Sequence, residues 1–158
     1  MIQKTNKMKT FLLSLFLCIF CSLYSQNNEK YIIDEKFVFH QVDVLETGTD
    51  KVIESFPNVG GVIIRAKVYD RDYMLISLPD LITYELNIVN RFEEDFKNNV
   101  KIIMYQGGGN VEGLGMYTAN IFFMYNLTKN KDTPEFIRLE INNSPNIMLY
   151  SGIIKLTE

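Results

Sequence analysis

Residues 78–96 have the sequence LPDLITYELNIVNRFEEDF, and the fold depends on whether this stretch forms a helix or a strand. On a helical wheel its apolar residues fall on one stripe, which contains Leu78, Leu81, Ile82, Ile88, Val89, Phe92 and Phe96. The start also fits a helix, with Ser77 as N-cap, Pro79 in the first turn and Asp80 at the third position. An alternation typical of a strand is present as well, at Ile82, Tyr84, Leu86 and Ile88. We predict a helix over residues 78–96, with a strand as the alternative.

The residues before this stretch have the alternation and turn chemistry of strands. Residues 31–46 form one long extended segment, in which the inward set shifts from Phe37 and Phe39 to Val42 and Val44. Such a change of face predicts a bulge. A turn at 47–50, a short strand at 51–56 and a break at 57–61 follow, and residues 62–76 form a hairpin connected at 70–72.

The residues after it predict four more strands, at 100–106, 116–126, 135–142 and 147–156, separated by short polar segments. These should form an antiparallel meander. We therefore predict an α+β fold, in which a curved antiparallel sheet of about seven or eight strands carries one amphipathic helix on its face. If residues 78–96 form a strand instead, an all-β sandwich or a small barrel follows.

The amino terminus has the pattern of a secretory signal peptide. Lys4, Lys7 and Lys9 precede an apolar run over residues 11–21, and polar residues follow from Ser22. We predict that residues 1–25 are removed and that residues 26–158 form a single globular domain that is exported to the periplasm or the cell exterior. The apolar run is short for an uncleaved membrane anchor, and the large residues before Cys18 and Cys21 argue against lipoprotein processing.

Removal of this segment changes the composition of the protein. Both cysteines and three of the 16 basic residues leave with it, while all 19 acidic residues remain, so the exported chain is more acidic than the full chain with its net charge of −3. We expect no disulfide, no nucleic-acid partner and no stable membrane insertion after cleavage. A single histidine in the whole chain and no remaining cysteine exclude a structural zinc site, and nothing predicts a cofactor.

A glycine-rich segment at residues 107–115 precedes a strand with apolar residues on both faces at 116–126. The segment has neither the lysine of a phosphate-binding loop nor a helix after it, so we predict a flexible hairpin loop, with a mobile flap at a binding mouth as the alternative. A strand covered on both faces is expected in a sheet that carries a helix or in a barrel with a ligand cavity. The predicted ligand-binding residues are Gly108, Gly109, Tyr117, Phe122 and Met124.

Groups for catalysis or metal binding are few. His40 lies on a predicted strand, where a structural role is more common than catalysis. Asp70 and Asp72 lack the further oxygen ligands of a calcium loop. Glu85 falls within the apolar stripe of the predicted helix and would be a candidate acid if it were buried. We predict no catalytic residue and no metal ligand.

Three functions follow from these features. The first is a non-catalytic exported protein that binds a macromolecular partner. It follows by elimination, because no catalytic or metal-binding motif is found. The second is a carrier for a small apolar ligand, which the strand at 116–126 and the neighbouring glycines favour. The third is a small carboxylate-based hydrolase, which would need Glu85 or Asp70 in a concave site.

Overall fold

The computed structural model of the protein describes residues 32–68, 71–78, 83–96, 99–111 and 115–157. Nine strands follow one another in this part of the chain: β1 Ile32–Glu46, β2 Val52–Val68, β3 Arg71–Ser77, β4 Thr83–Phe96, β5 Val100–Val111, β6 Gly115–Asn126, β7 Phe136–Ile141, β8 Asn146–Ser151 and β9 Ile154–Leu156. The predicted signal peptide, residues 1–25, lies outside the described residues. Among the residues described, no helix has the length and hydrophobicity needed to cross a membrane.

The strands form one antiparallel barrel in which neighbours in sequence are neighbours in the sheet. Each strand from β1 to β8 pairs with the next along the chain, and β8 pairs with β1 to close the ring. β9 continues along β1 after a break at Gly152, where φ is 64°. An eight-stranded barrel has an interior just wide enough to be filled by side chains or to hold one small ligand.

The predicted helix over residues 78–96 is wrong, and with it the α+β fold class. Thr83–Phe96 is strand β4, which pairs with β3 on one side and β5 on the other. The alternative of a small barrel fits the structure. Because β4 has a register shift between Ile88 and Asn90, the inward face changes from even to odd residues. This change of phase breaks the alternation of period two and leaves a spacing that resembles a helical stripe.

β1 carries the predicted bulge. Its register with β2 shifts between Phe39 and Gln41, and Phe39 and Val42 are both buried on either side of the shift. Across from it, the predicted break at residues 57–61 is an irregularity inside one long strand rather than a loop. Gly61 is required there because a Cβ would overlap the ring of Phe39, its partner on β1.

The carboxyl half forms the predicted antiparallel meander, from β5 to β8. For Gly107, Gly108 and Gly109, however, the prediction of a flexible loop is wrong, because these residues belong to strand β5 and pair with β6. Residues 112–114 of the predicted loop lie outside the described residues. A Cβ at Gly107 would lie 2.5 Å from the carbonyl oxygen of Asn87 on β4. These glycines therefore permit a close approach of neighbouring backbones.

One apolar core fills most of the barrel. Aromatic rings contact each other across it, with centroid distances of 5.8 Å between Phe37 and Phe123 and 4.7 Å between Phe39 and Tyr150. Ala119, Ile121, Phe123 and Tyr125 of β6 are all buried in this core. The interior beneath the carboxyl-terminal half of β6 is therefore packed with side chains and not hollow.

Candidate functional site at one end of the barrel

The alternating strand directions bring the ends of four strands and the starts of the other four to the same end of the barrel. β1, β3, β5 and β7 end there, and β2, β4, β6 and β8 begin there. We call this end the mouth. The amino-terminal end of β1 and β9 lie at the opposite end.

An apolar space opens inside the mouth, and we call it the cavity. Its volume is about 160 Å³. Side chains from four strands and from Leu78, which follows β3, line it: Val42, Val44, Phe56, Val59, Leu78, Tyr84 and Met148. None of these lining side chains is charged. An apolar cavity of about 150 Å³ accommodates a molecule the size of benzene.

A wider space, the vestibule, lies next to the cavity and shares Val44, Tyr84 and Met148 with it. Its volume is about 600 Å³. The other residues that line it are Met116, Tyr117, Ile141, Asn142, Asn143, Ser144, Pro145 and Asn146. The amide and hydroxyl groups of the β7–β8 turn therefore give the vestibule a neutral polar side.

Two tyrosines, Tyr84 of β4 and Tyr117 of β6, lie next to each other at the mouth. The rings of Tyr84 and Tyr117 meet edge to face with centroids 6.1 Å apart. The Tyr117 hydroxyl donates a hydrogen bond of 2.9 Å to the backbone carbonyl of Glu85. Burial raises the pKa of Tyr117 to about 12 and also raises the pKa of Tyr84. Both phenols are therefore neutral at physiological pH.

The opposite end of the barrel is charged. Glu35 pairs with Arg65 at 3.2 Å and with Lys155 at 2.8 Å. The guanidinium carbons of Arg65 and Arg91 lie 5.8 and 5.9 Å from the ring centroid of Tyr105. Arg91 pairs in turn with Glu93 at 2.5 Å. Desolvating such groups is costly, so an apolar molecule would enter the barrel at the mouth and not at this end.

The structure separates the five predicted ligand-binding residues. Tyr117 lines the vestibule, and Gly109, its partner on β5, lies beneath the Tyr117 ring. Gly108 pairs with Thr118 and lies on the other face of β5. Phe122 and Met124 are half-buried and alternate with the buried residues of β6, so they lie on the outer face of the barrel and away from the cavity.

None of the residues that line the cavity is among the five ligand-binding residues predicted from the sequence. They come from strands far apart along the chain, so only the closure of the barrel brings them together. A usable signal was the shift of the inward set of β1 to Val42 and Val44, which places both side chains in the cavity. The strand alternation at Tyr84 was a second signal.

The described groups that were considered for catalysis or metal binding do not converge on the mouth. Glu85 is exposed on the outer face of β4, and Asp72 and His40 are exposed on other strands. Asp70 lies outside the described residues. Within the described ranges, no three His, Cys, Asp or Glu side chains are grouped as metal ligands would be.

Comparison of the chain with protein-family models, with curated proteins and with solved structures gives no significant match.

Proposed function

We propose that this protein binds a small apolar ligand at the mouth of the barrel and acts as a carrier without catalysis. The observation that carries the proposal is the cavity, whose lining residues are all apolar or aromatic and which continues into the vestibule through Val44, Tyr84 and Met148. Ligand sites of this kind are concave, mostly apolar and supplied with a few polar groups.

The residues that line the cavity and the vestibule also indicate which chemical class of ligand would bind. The cavity suits an aliphatic or aromatic portion, while Asn142 and Asn143 offer hydrogen bonds to a polar end. Because no charged residue of the described chain lines either space, a carboxylate or an ammonium group would lose its hydration without gaining a counter-ion. The ligand we propose is neutral, with an apolar body and a hydroxyl or amide end.

Export to the periplasm or the cell exterior is part of the proposal. The basic amino terminus and the apolar run at residues 11–21 support it. Mass determination of the mature amino terminus from the producing cell tests it, and a product that retains residues 1–25 would contradict it.

Titration with the neutral fluorescent probe N-phenyl-1-naphthylamine tests ligand binding. We expect a saturable rise in fluorescence with one site per chain. Val44→Phe, which places a ring in the cavity, should weaken probe binding at least about tenfold. Val62→Phe is the matched control, since Val62 alternates with buried Gly61 and Ile63 and lies on the outer face.

Competition experiments test the class of ligand. Dodecanol should displace the probe at lower concentration than dodecanoate or dodecylamine. Absence of probe binding, or equal binding by the Val44→Phe and wild-type proteins, would count against the site. Equal competition by the three compounds would retain the site and overturn the neutral class.

A macromolecular partner, the first function predicted from the sequence, stays a prediction. Apolar side chains do lie on the outer faces of neighbouring strands β4 to β7, at Phe92, Ile102, Met104, Phe122, Met124 and Phe136.

A further inference from the structure

Strand β4 has a backbone edge that no described strand covers. β3 pairs with β4 only from Thr83 to Asn87, whereas β4 continues to Phe96 with β5 on its other side. Residues 89–96 are all exposed. The N–H and C=O groups on this side of Asn90–Phe96 therefore offer a template for pairing with another strand.

Another edge of the barrel that no described strand covers differs from the β4 edge in chemistry. β2 pairs with β3 only from Val62 onward, so no described strand covers residues 52–61 on that side. Pro57 interrupts this edge, and Asn58 has a positive φ of 62°. Both features disturb strand pairing. The β4 edge has neither a proline nor a glycine between Asn90 and Phe96, and no residue there has positive φ.

An apolar row leads to the β4 edge across the outer surface. Phe122 of β6 lies opposite Met104 of β5, and Met104 lies opposite Phe92 of β4. Phe92 is 53% exposed because the row ends at the uncovered edge. A further strand against this edge would cover its ring and continue the row.

The charges around Phe92 identify the strand that fits. Arg91 and Glu93 flank Phe92 on the opposite face of β4. In an antiparallel pair of two identical strands, a two-fold axis at Phe92 places each Arg91 directly opposite Glu93 of the other copy. Asn90 then lies opposite Glu94. An axis at Glu93 or Glu94 would instead place carboxylates opposite each other, and an axis at Arg91 would oppose two guanidinium groups.

We propose that the protein forms a two-fold symmetric dimer through antiparallel pairing of its β4 edges, centred on Phe92. The two apolar rows meet at the Phe92 rings and become continuous across both barrels. The pairing leaves the mouth of each barrel open, because the uncovered part of β4 lies toward the charged end.

Sedimentation equilibrium of the purified full chain over a range of concentrations tests the proposal. We expect twice the mass of one chain for the wild type. Phe92→Asp should raise the dissociation constant of the dimer at least about tenfold. Ile154→Asp is the matched control, since Ile154 is 52% exposed on β9 and should leave the mass unchanged.

A charge-exchange experiment tests the register itself. Arg91→Glu places two carboxylates in each pair of the homodimer, and Glu93→Arg places two guanidinium groups there. Each variant alone should sediment as a monomer, whereas an equimolar mixture should form a heterodimer in which every pair is again of opposite charge. The same amino-terminal segment is present in all variants, so association through that segment would not follow this pattern.

A monomeric wild type at every concentration would overturn the proposal. The proposal would also be overturned if both single variants formed homodimers and their mixture showed no preference for the heterodimer. Thermal denaturation of each variant establishes that loss of the dimer does not result from loss of the fold.

Discussion

The Tyr117 ring lies against Gly109, its partner on the neighbouring strand, in the space where a side chain at position 109 would otherwise stand. A Cβ at Gly109 would lie 2.7 Å from the Tyr117 hydroxyl oxygen and would overlap the carbonyl oxygen of Glu85. The same hydroxyl donates its hydrogen bond to that carbonyl. One glycine thus allows an aromatic ring to join β4, β5 and β6 beside the vestibule.

Gly109→Ala should destabilise the protein by about 1–3 kcal/mol, because the added methyl group displaces the Tyr117 ring or the β4 backbone. Urea denaturation measures this change. Gly60→Ala is the control: a Cβ at Gly60 would have no atom within 4 Å, and the φ of Gly60 is not in the left-handed region. That variant should stay within about 0.5 kcal/mol of the wild type. Equal destabilisation of the two variants would contradict the packing of Tyr117 on Gly109.

Tyr117→Phe removes the hydrogen bond to Glu85 and keeps the ring. We expect a loss of about 1 kcal/mol in the free energy of unfolding. Tyr150→Phe is the comparison, since the buried Tyr150 hydroxyl donates only to the sulfur of Met148 at 3.5 Å, and sulfur is a weak acceptor. Tyr150→Phe should therefore change the free energy of unfolding very little at pH 7. A larger loss for Tyr150→Phe than for Tyr117→Phe would be inconsistent with these contacts.

Alkaline pH should unfold the protein through its buried tyrosines. Burial raises the pKa of Tyr117 from 10.0 to about 12, and it also raises the pKa of Tyr125 and Tyr150. A pKa that is higher in the folded state gives stability that is complete below the unfolded value and is lost as pH rises toward the folded value. The free energy of unfolding should therefore decline above pH 10.

The variant Tyr150→Phe tests this cause, since it removes the most deeply buried phenol of the three. The decline above pH 10 should become shallower in this variant, as followed by circular dichroism during base titration. An unchanged slope would show that Tyr150 ionisation is not linked to unfolding.

Arg138 connects the β1–β2 turn to β7. Its two terminal nitrogens donate to both carboxylate oxygens of Asp50 at 3.1 and 3.0 Å, and its Nε donates to Glu140 at 2.6 Å. The Arg138 guanidinium holds the pKa of Asp50 below the usual value of 3.8. The pair therefore stabilises the fold above that value and loses its effect as pH falls.

In Arg138→Gln the pKa of Asp50 should return toward 3.8, as measured by NMR titration of its carboxyl carbon. Added salt should shift the wild-type pKa in the same direction, because Asp50 is exposed to solvent. A pKa of Asp50 that is the same in both proteins would contradict the bidentate contact.

The strands of the carboxyl half and the bulge of β1 could be predicted because their signals are local: alternation, turn residues and a change of face. β4 could not. Its two halves have different partners, since residues 83–87 pair with β3 and residues 87–96 pair with β5. Apolar Phe92 and Phe96 therefore lie exposed, which no alternation rule anticipates. The outer-face position of Phe122 and Met124 was not predictable for a related reason, because apolar residues on both faces of β6 do not tell which face is inside.

Closure of the barrel has a consequence for the rate of folding. Val42 of the first strand pairs with Tyr150 of β8, and the ring of Tyr150 packs on Phe39, so the core is complete only when the two ends of the described chain have met. Contacts so distant in sequence form late, after the entropy of a long loop has been lost. Local hairpins such as β5–β6 can form early, while β1 must wait for its last partner. A nascent chain would thus expose the Phe39 face of β1 throughout its synthesis.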